Sequence, residues 1–201
     1  MQTTQLGGEQ VSSRDSIVVV SGLPRSGTSM MMSMLQAGGV PVLTDNIRRA
    51  DDDNPQGYYE FELVRQLEHD TSWLDDAVGK AVKVISQLVP QLPPQYEYRI
   101  VFMLRNMAEI LASQRQMLMR RGRAANAVSD EALAQVFAKH LVQVRHWIEA
   151  QPNMHVLYVK YGDVLAQPVE QAQRVDRFLG GVLSVPAMAG VVDERLHRQR
   201  R

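Results

Sequence analysis

Apolar residues along this chain follow two alternating rhythms. Short runs rich in β-branched residues, Ser16-Ile-Val-Val-Val-Ser21, Tyr98-Arg-Ile-Val-Phe-Met-Leu104 and Met154-His-Val-Leu-Tyr-Val159, read as strands buried on both faces of a parallel sheet. Between them, apolar positions recur at helical spacing over Thr28 to Gln36, Met107 to Met119, Asp130 to Ala150 and Val169 to Leu179. The first and last of these helices end at glycine pairs, Gly38-Gly39 and Gly180-Gly181, which favour helix termination. Helical spacing also predicts a helix within Tyr58 to Asp70, and Lys80 to Ile85 predicts a short strand. Such alternation predicts an α/β fold: a three-layer, parallel sheet flanked by helices on both faces, with its ligand crevice beyond the strand C-termini.

The remaining segments are polar. Residues 1–14 lack periodicity and predict a flexible leader before one domain spanning 15–201. Val40 to Gly57 is a connection carrying the acidic run Asp51-Asp-Asp-Asn-Pro55, Arg120-Arg-Gly-Arg-Ala is a basic linker, and the chain ends in His197-Arg-Gln-Arg-Arg201. With 201 residues, 45% of them hydrophobic, the chain can bury a core of ordinary size. Its 22 basic residues balance 22 acidic ones, so no overall field favours nucleic acid, and any anion site must be local. Absence of cysteine excludes disulfides and thiolate chemistry. No apolar stretch approaches the ~20 residues that span a bilayer, so the expectation is a cytoplasmic protein without a membrane span.

One loop carries a chemical signal. Gly22-Leu-Pro-Arg-Ser-Gly-Thr-Ser29 joins the first strand to a helix N-terminus, where unpaired amides and the helix dipole attract a phosphate or sulfate. The spacing of Gly22 and Gly27 matches a P-loop, but Thr28 stands where a nucleoside triphosphatase would carry its lysine. Arg25 is the cation left inside the loop, able to fork onto a pair of anion oxygens, with Thr28 and Ser29 as neutral donors. This set suits an anion bound without metal.

Pro24-Arg-Ser-Gly-Thr-Ser29 resembles the 5′-phosphosulfate loop of sulfotransferases that use PAPS (3′-phosphoadenosine 5′-phosphosulfate), particularly the tyrosine-protein and bacterial types. A second similarity is the strand ending in Arg105 with Ser113 eight residues on. A third is Tyr158-Val-Lys-Tyr-Gly-Asp163 with the final helix to Gly180. The resemblance implies PAPS as donor and PAP as product, bound by Arg25, Ser26, Gly27, Thr28 and Ser29 and, at the 3′-phosphate, by Arg105 and Ser113. The late Arg-x-x-Gly-x-x-Gly segment of cytosolic members has no counterpart here, which leaves the basic tail from Arg195 to Arg201 as a candidate for its charge.

Sulfuryl transfer needs cations on the migrating group and a base for the acceptor proton. Arg25 and Lys83 are the candidate cations; Glu60 and Asp45 are the candidate bases, ahead of Glu62 and His69. The expected acceptor is a small-molecule or peptide hydroxyl, or an amine, entering between the Val40 to Tyr59 connection and the Arg120 to Ala150 segment beside Tyr58, Tyr59, Trp73 and Trp147. No metal site is expected, and any assembly is expected to be a homodimer. The rivals are a P-loop nucleotide or small-molecule kinase, opposed by the missing lysine, and a non-catalytic PAP-binding module. The methionines from Met30 to Met34 read as core filling before they read as an acceptor pocket.

Overall fold

A computed structural model describes residues 15–45, 47, 57–120 and 129–192. Four parallel strands, β1 (Ile17–Gly22), β2 (Ala81–Lys83), β3 (Tyr98–Leu104) and β4 (Met154–Lys160), form one sheet in the order β2-β1-β3-β4. Each β-branched run became a strand because alternate residues found alternate cores. Val18, Val20, Val101 and Met103 enter one apolar cluster, while Ile17, Val19, Ile100 and Phe102 enter the other. All six residues of β1 are buried, at about 1.5–3 kcal/mol for each large apolar side chain removed from water.

On the first face lie α1 (Thr28–Ala37), α4 (Tyr161–Ala166), α5 (Pro168–Phe178) and α6 (Val185–Gly190). Met30, Met31, Met32 and Met34 of α1 are buried in that cluster, so the methionine run fills core. The second face carries α3 (Asp130–Glu149), through Val144 and Ile148, and short 3-10 turns at Glu62–Gln66, Ser72–Ala77 and Val89–Gln91. Ser129 caps α3 by accepting from the Ala132 amide at 3.2 Å. α2 (Met107–Arg120) starts two residues after β3. The three-layer parallel α/β architecture read from the sequence is the observed one.

Local differences have physical causes. The helix predicted within 58–70 shrinks to the 3-10 turn Glu62–Gln66. Upstream of it the Tyr58 carbonyl accepts from Ser29 Oγ at 3.3 Å and from Lys83 Nζ, and the Glu60 carbonyl accepts from Thr44 Oγ1 at 3.0 Å. Those carbonyls are thereby withdrawn from helical bonding, and Tyr59 sits at φ 52. α4 and α6 follow segments read only as a strand end and a Pro- and Gly-containing tail; each is six residues long, too short for a periodic signal. The leader, most of the acidic connection, the basic linker beyond Arg120 and the tail from Asp193 lie outside the described residues.

The sheet order decides where a ligand fits. From β1 the chain goes to β2 on one side and then crosses to β3 on the other, so the crevice outside the C-terminal ends of β1 and β3 is the topological switch point. The glycine loop leaves β1 at that point.

Candidate active site

Leu23, Pro24, Arg25 and Ser26 make a tight turn, closed by the Ser26 amide on the Leu23 carbonyl at 3.1 Å. Proline presets the second position, and the third, Arg25, adopts φ 71. A left-handed arginine costs on the order of 1–2 kcal/mol, so its surroundings must hold it. Arg25 Nε donates to Ser113 Oγ at 2.9 Å, and the Arg25 carbonyl accepts from Arg105 Nη1 at 3.1 Å. Arg25, Arg105 and Ser113, separated by up to 88 positions, therefore meet at one point.

Beyond the turn, Gly27 caps α1 at φ 99 with no side-chain cap, and the first turn of α1 holds no acidic residue. The opening amides are thus left facing the crevice with the positive end of the helix dipole. Space is tight behind the loop. A Cβ on Gly22, at φ 147, would lie 2.5 Å from Ser26 Oγ and 2.7 Å from the Met103 carbonyl oxygen, and one on Gly27 would lie 2.5 Å from the Tyr161 ring. The Ser26 hydroxyl is buried without a hydrogen-bond partner among the described residues, a polar atom that an anion in the loop could engage.

Arg105 organises the floor. Its side chain is 8% exposed, its Nε donates to Glu109 Oε2 at 2.8 Å, and its guanidinium stacks 4.2 Å from the centroid of the Tyr161 ring. Burial raises the Tyr161 phenol above its ordinary value, and the positive charge of Arg105 offsets part of that rise. Glu109, one helical turn after Arg105, was open to detection by its i,i+4 spacing; Tyr161 was open to detection only through the family-like segment.

On the other flank, Lys83 ends the edge strand β2 and reaches Ser29 Oγ at 3.4 Å as well as the Tyr58 carbonyl. This ties Lys83, Ser29 and the 57–60 segment to the start of α1. Asp45 Oδ1 accepts the Ile47 amide at 3.0 Å within its own segment, while Oδ2 accepts the Glu62 amide at 2.6 Å and the Asp45 amide donates to the Glu60 carbonyl at 3.3 Å, so Asp45 braces the backbone around Glu60. The Glu60 carboxylate is 29% exposed and lies 3.8 Å from Arg65 Nη2. Glu62 also pairs with Arg65, at 3.3 Å, and His69 lies in the turn after the 62–66 segment. Tyr58 and Trp73 are buried, and Trp147 lies in the last turn of α3, which leads into the start of β4 at the end of the sheet away from the loop. Those three aromatics belong to the packing and do not form an acceptor surface.

A pair that no sequence spacing signals lies beside the loop. Ser86 is fully buried, donates its amide to the Gly22 carbonyl at 3.2 Å, and places its hydroxyl 2.9 Å from His140 Nε2 on α3. Burial lowers the His140 pKa from 6.5, so stability from this pair is full above that value and is lost as pH falls below it. His140→Gln is expected to flatten the acid limb of a plot of melting temperature against pH between about 7 and 5; equal slopes in both proteins would remove His140 from that role.

Among the described residues no group of three His, Asp or Glu could hold a metal ion, and no helix is long and apolar enough to cross a membrane. The sequence model of the family described as sulfotransferase domain matches residues 15–199. No curated protein matches the chain in sequence. Among solved structures, the chain is similar to the sulfotransferase domain of the Synechococcus PCC 7002 olefin synthase, at 13% identity and TM-score 0.54 over 94% of this chain and 81% of that one. It is also similar to a sulfotransferase from Alicyclobacillus acidocaldarius, at 16% identity and TM-score 0.51 over 85% and 84%. A third similar structure, retinol dehydratase in complex with androsterone and the inactive cofactor PAP, has 17% identity and TM-score 0.50, with 93% of this chain covering 65% of that one.

Proposed function

The chain belongs to the sulfotransferase domain family, and on that premise we propose that it transfers a sulfuryl group from PAPS to a hydroxyl or amine acceptor, without a metal. The observation that carries this reading is the meeting of Arg25, Arg105 and Ser113 at the uncapped start of α1, with Thr28 in place of a P-loop lysine. The buried, unpartnered Ser26 hydroxyl and the close backbone packing at Gly22 fit an anion cradled by main-chain amides.

Each residue then has a task. The amides of Gly27, Thr28 and Ser29, with the hydroxyls of Ser26, Thr28 and Ser29, hold the 5′-phosphosulfate. Arg25 and Lys83 flank it, Arg25 from within the loop and Lys83 from the edge strand, where positive charge can stabilise oxygens that gain charge during transfer. Arg105 and Ser113 hold the 3′-phosphate. PAPS, when bound, supplies an activated sulfuryl group on a phosphate leaving group. Glu60 takes the acceptor proton, and Asp45, the other carboxylate candidate, fixes the backbone that carries Glu60 through its bonds to the Glu62 amide and the Glu60 carbonyl. The acceptor is a small molecule or peptide reaching the crevice past the 57–60 segment.

The test is calorimetric titration with PAP, ADP, and ATP plus Mg²⁺. Metal-independent binding of PAP in preference to the other two is expected. Preference for ATP with Mg²⁺ would turn the assignment to a kinase, and PAP binding without turnover across a broad acceptor screen would point to a binding module.

A further inference from the structure

A cavity of about 350 Å³ opens at the C-terminal ends of β3 and β4, lined by Arg105, Asn106, Glu109, Lys160 and Asp163 among others. It contains two cations in different states. Arg105 already has a counterion, Glu109, at 2.8 Å. Lys160, the last residue of β4 and the register partner of Leu104, makes no ion pair among the described residues.

Charge accounting gives this arrangement a consequence. A phosphate monoester carries about −1.5 to −2 charges near neutral pH. Arg105 and Glu109 together are close to neutral, and Arg25 reaches the 3′-phosphate side only through Ser113, at 2.9 Å, so a dianion at Arg105 would lie next to a carboxylate, and like charges at such range repel. The charged lining is two cations, Arg105 and Lys160, and two carboxylates, Glu109 and Asp163; Lys160, which makes no ion pair among the described residues, is the lining cation that can turn to a dianion and offset that repulsion. Its flexible four-carbon stem suits a point-charge contact to a phosphate. Glu109 and Asp163 are acceptors, suited to hydroxyl or amino donors of a nucleoside.

We propose that Lys160 is a further cation for the 3′-phosphate, on the side of Arg105 away from Arg25, and so strengthens the preference for a nucleotide that carries one. This inference rests on the nucleotide reading above. It is tested by titrating the wild-type protein, Lys160→Ala and Lys160→Arg with PAP and with AMP, which lacks the 3′-phosphate, at one ionic strength. Wild type is expected to favour PAP. In Lys160→Ala the ratio of PAP to AMP affinity falls about five- to tenfold, and Lys160→Arg retains most of it. A wild-type ratio preserved in Lys160→Ala overturns the role of Lys160 while leaving the nucleotide assignment standing. No preference for PAP in the wild type overturns the nucleotide assignment, and the role of Lys160 with it.

Discussion

Arg105→Ala is expected to weaken PAP binding by about 30- to 150-fold, on the order of 2–3 kcal/mol, the upper range for a charge-assisted hydrogen bond. The expectation exceeds that for a single lost contact because Arg105 holds three partners together. It neutralises Glu109 at 2.8 Å, donates to the Arg25 carbonyl at 3.1 Å, and stacks on Tyr161. Without it, the Glu109 carboxylate, 22% exposed, loses its Arg105 counterion beside the proposed anion site, and the left-handed turn at Arg25 loses one of its restraints. Arg105→Lys separates charge from geometry. An ammonium keeps the charge but cannot serve Glu109 and the Arg25 carbonyl with a planar fork, so its affinity should fall between those of wild type and Arg105→Ala. Unchanged PAP affinity in Arg105→Ala, in protein that melts as wild type does, would refute the placement of the 3′-phosphate at Arg105.

Gly22→Ala is expected to lower stability by about 2–4 kcal/mol and to abolish measurable nucleotide binding, because it combines overpacking with an unfavourable backbone conformation. The new methyl would meet Ser26 Oγ at 2.5 Å and the Met103 carbonyl oxygen at 2.7 Å, at φ 147. The serine can turn away, but the carbonyl belongs to β3, whose residue Met103 is the register partner of Gly22. Adding Ser26→Ala to Gly22→Ala removes the first obstruction alone and should recover only a minor part of the stability in denaturant melts. Full recovery by the double variant would place the strain in the serine contact and leave the strand pair free of it. A wild-type melting point for Gly22→Ala would show that the loop is looser than its packing implies.

Much of the site was legible because its parts are local in sequence. The strand–loop–helix unit announces itself by a β-branched run, two glycines five apart and an apolar helix. Arg105 and Ser113 were marked by the resemblance, as an arginine at a strand end with a serine eight residues on. Other parts were not legible. Helical spacing over 58–70 was overridden when Ser29, Lys83 and Thr44 claimed the carbonyls of Tyr58 and Glu60. The Ser86–His140 contact joins residues 54 apart on opposite sides of a strand and a helix, with no motif to mark it. Tyr58 and Trp73 looked like candidate acceptor contacts by type, and burial made them core.

The sequence by itself determined the elements and the composition of the loop: which runs are buried strands, which helix begins after a glycine loop, and that an arginine, not the P-loop lysine, stands in it. Those are consequences of side-chain periodicity and local backbone preference, which act over a few residues. Only the tertiary structure decided which groups share a crevice. The order β2-β1-β3-β4 puts Lys83 on one flank of the loop and Arg105 on the other, and the pairing of Leu104 with Lys160 brings the second cation to the cavity beside Arg105. Strand order and register are set by the closing of two apolar cores over the whole chain, and no local spacing encodes them.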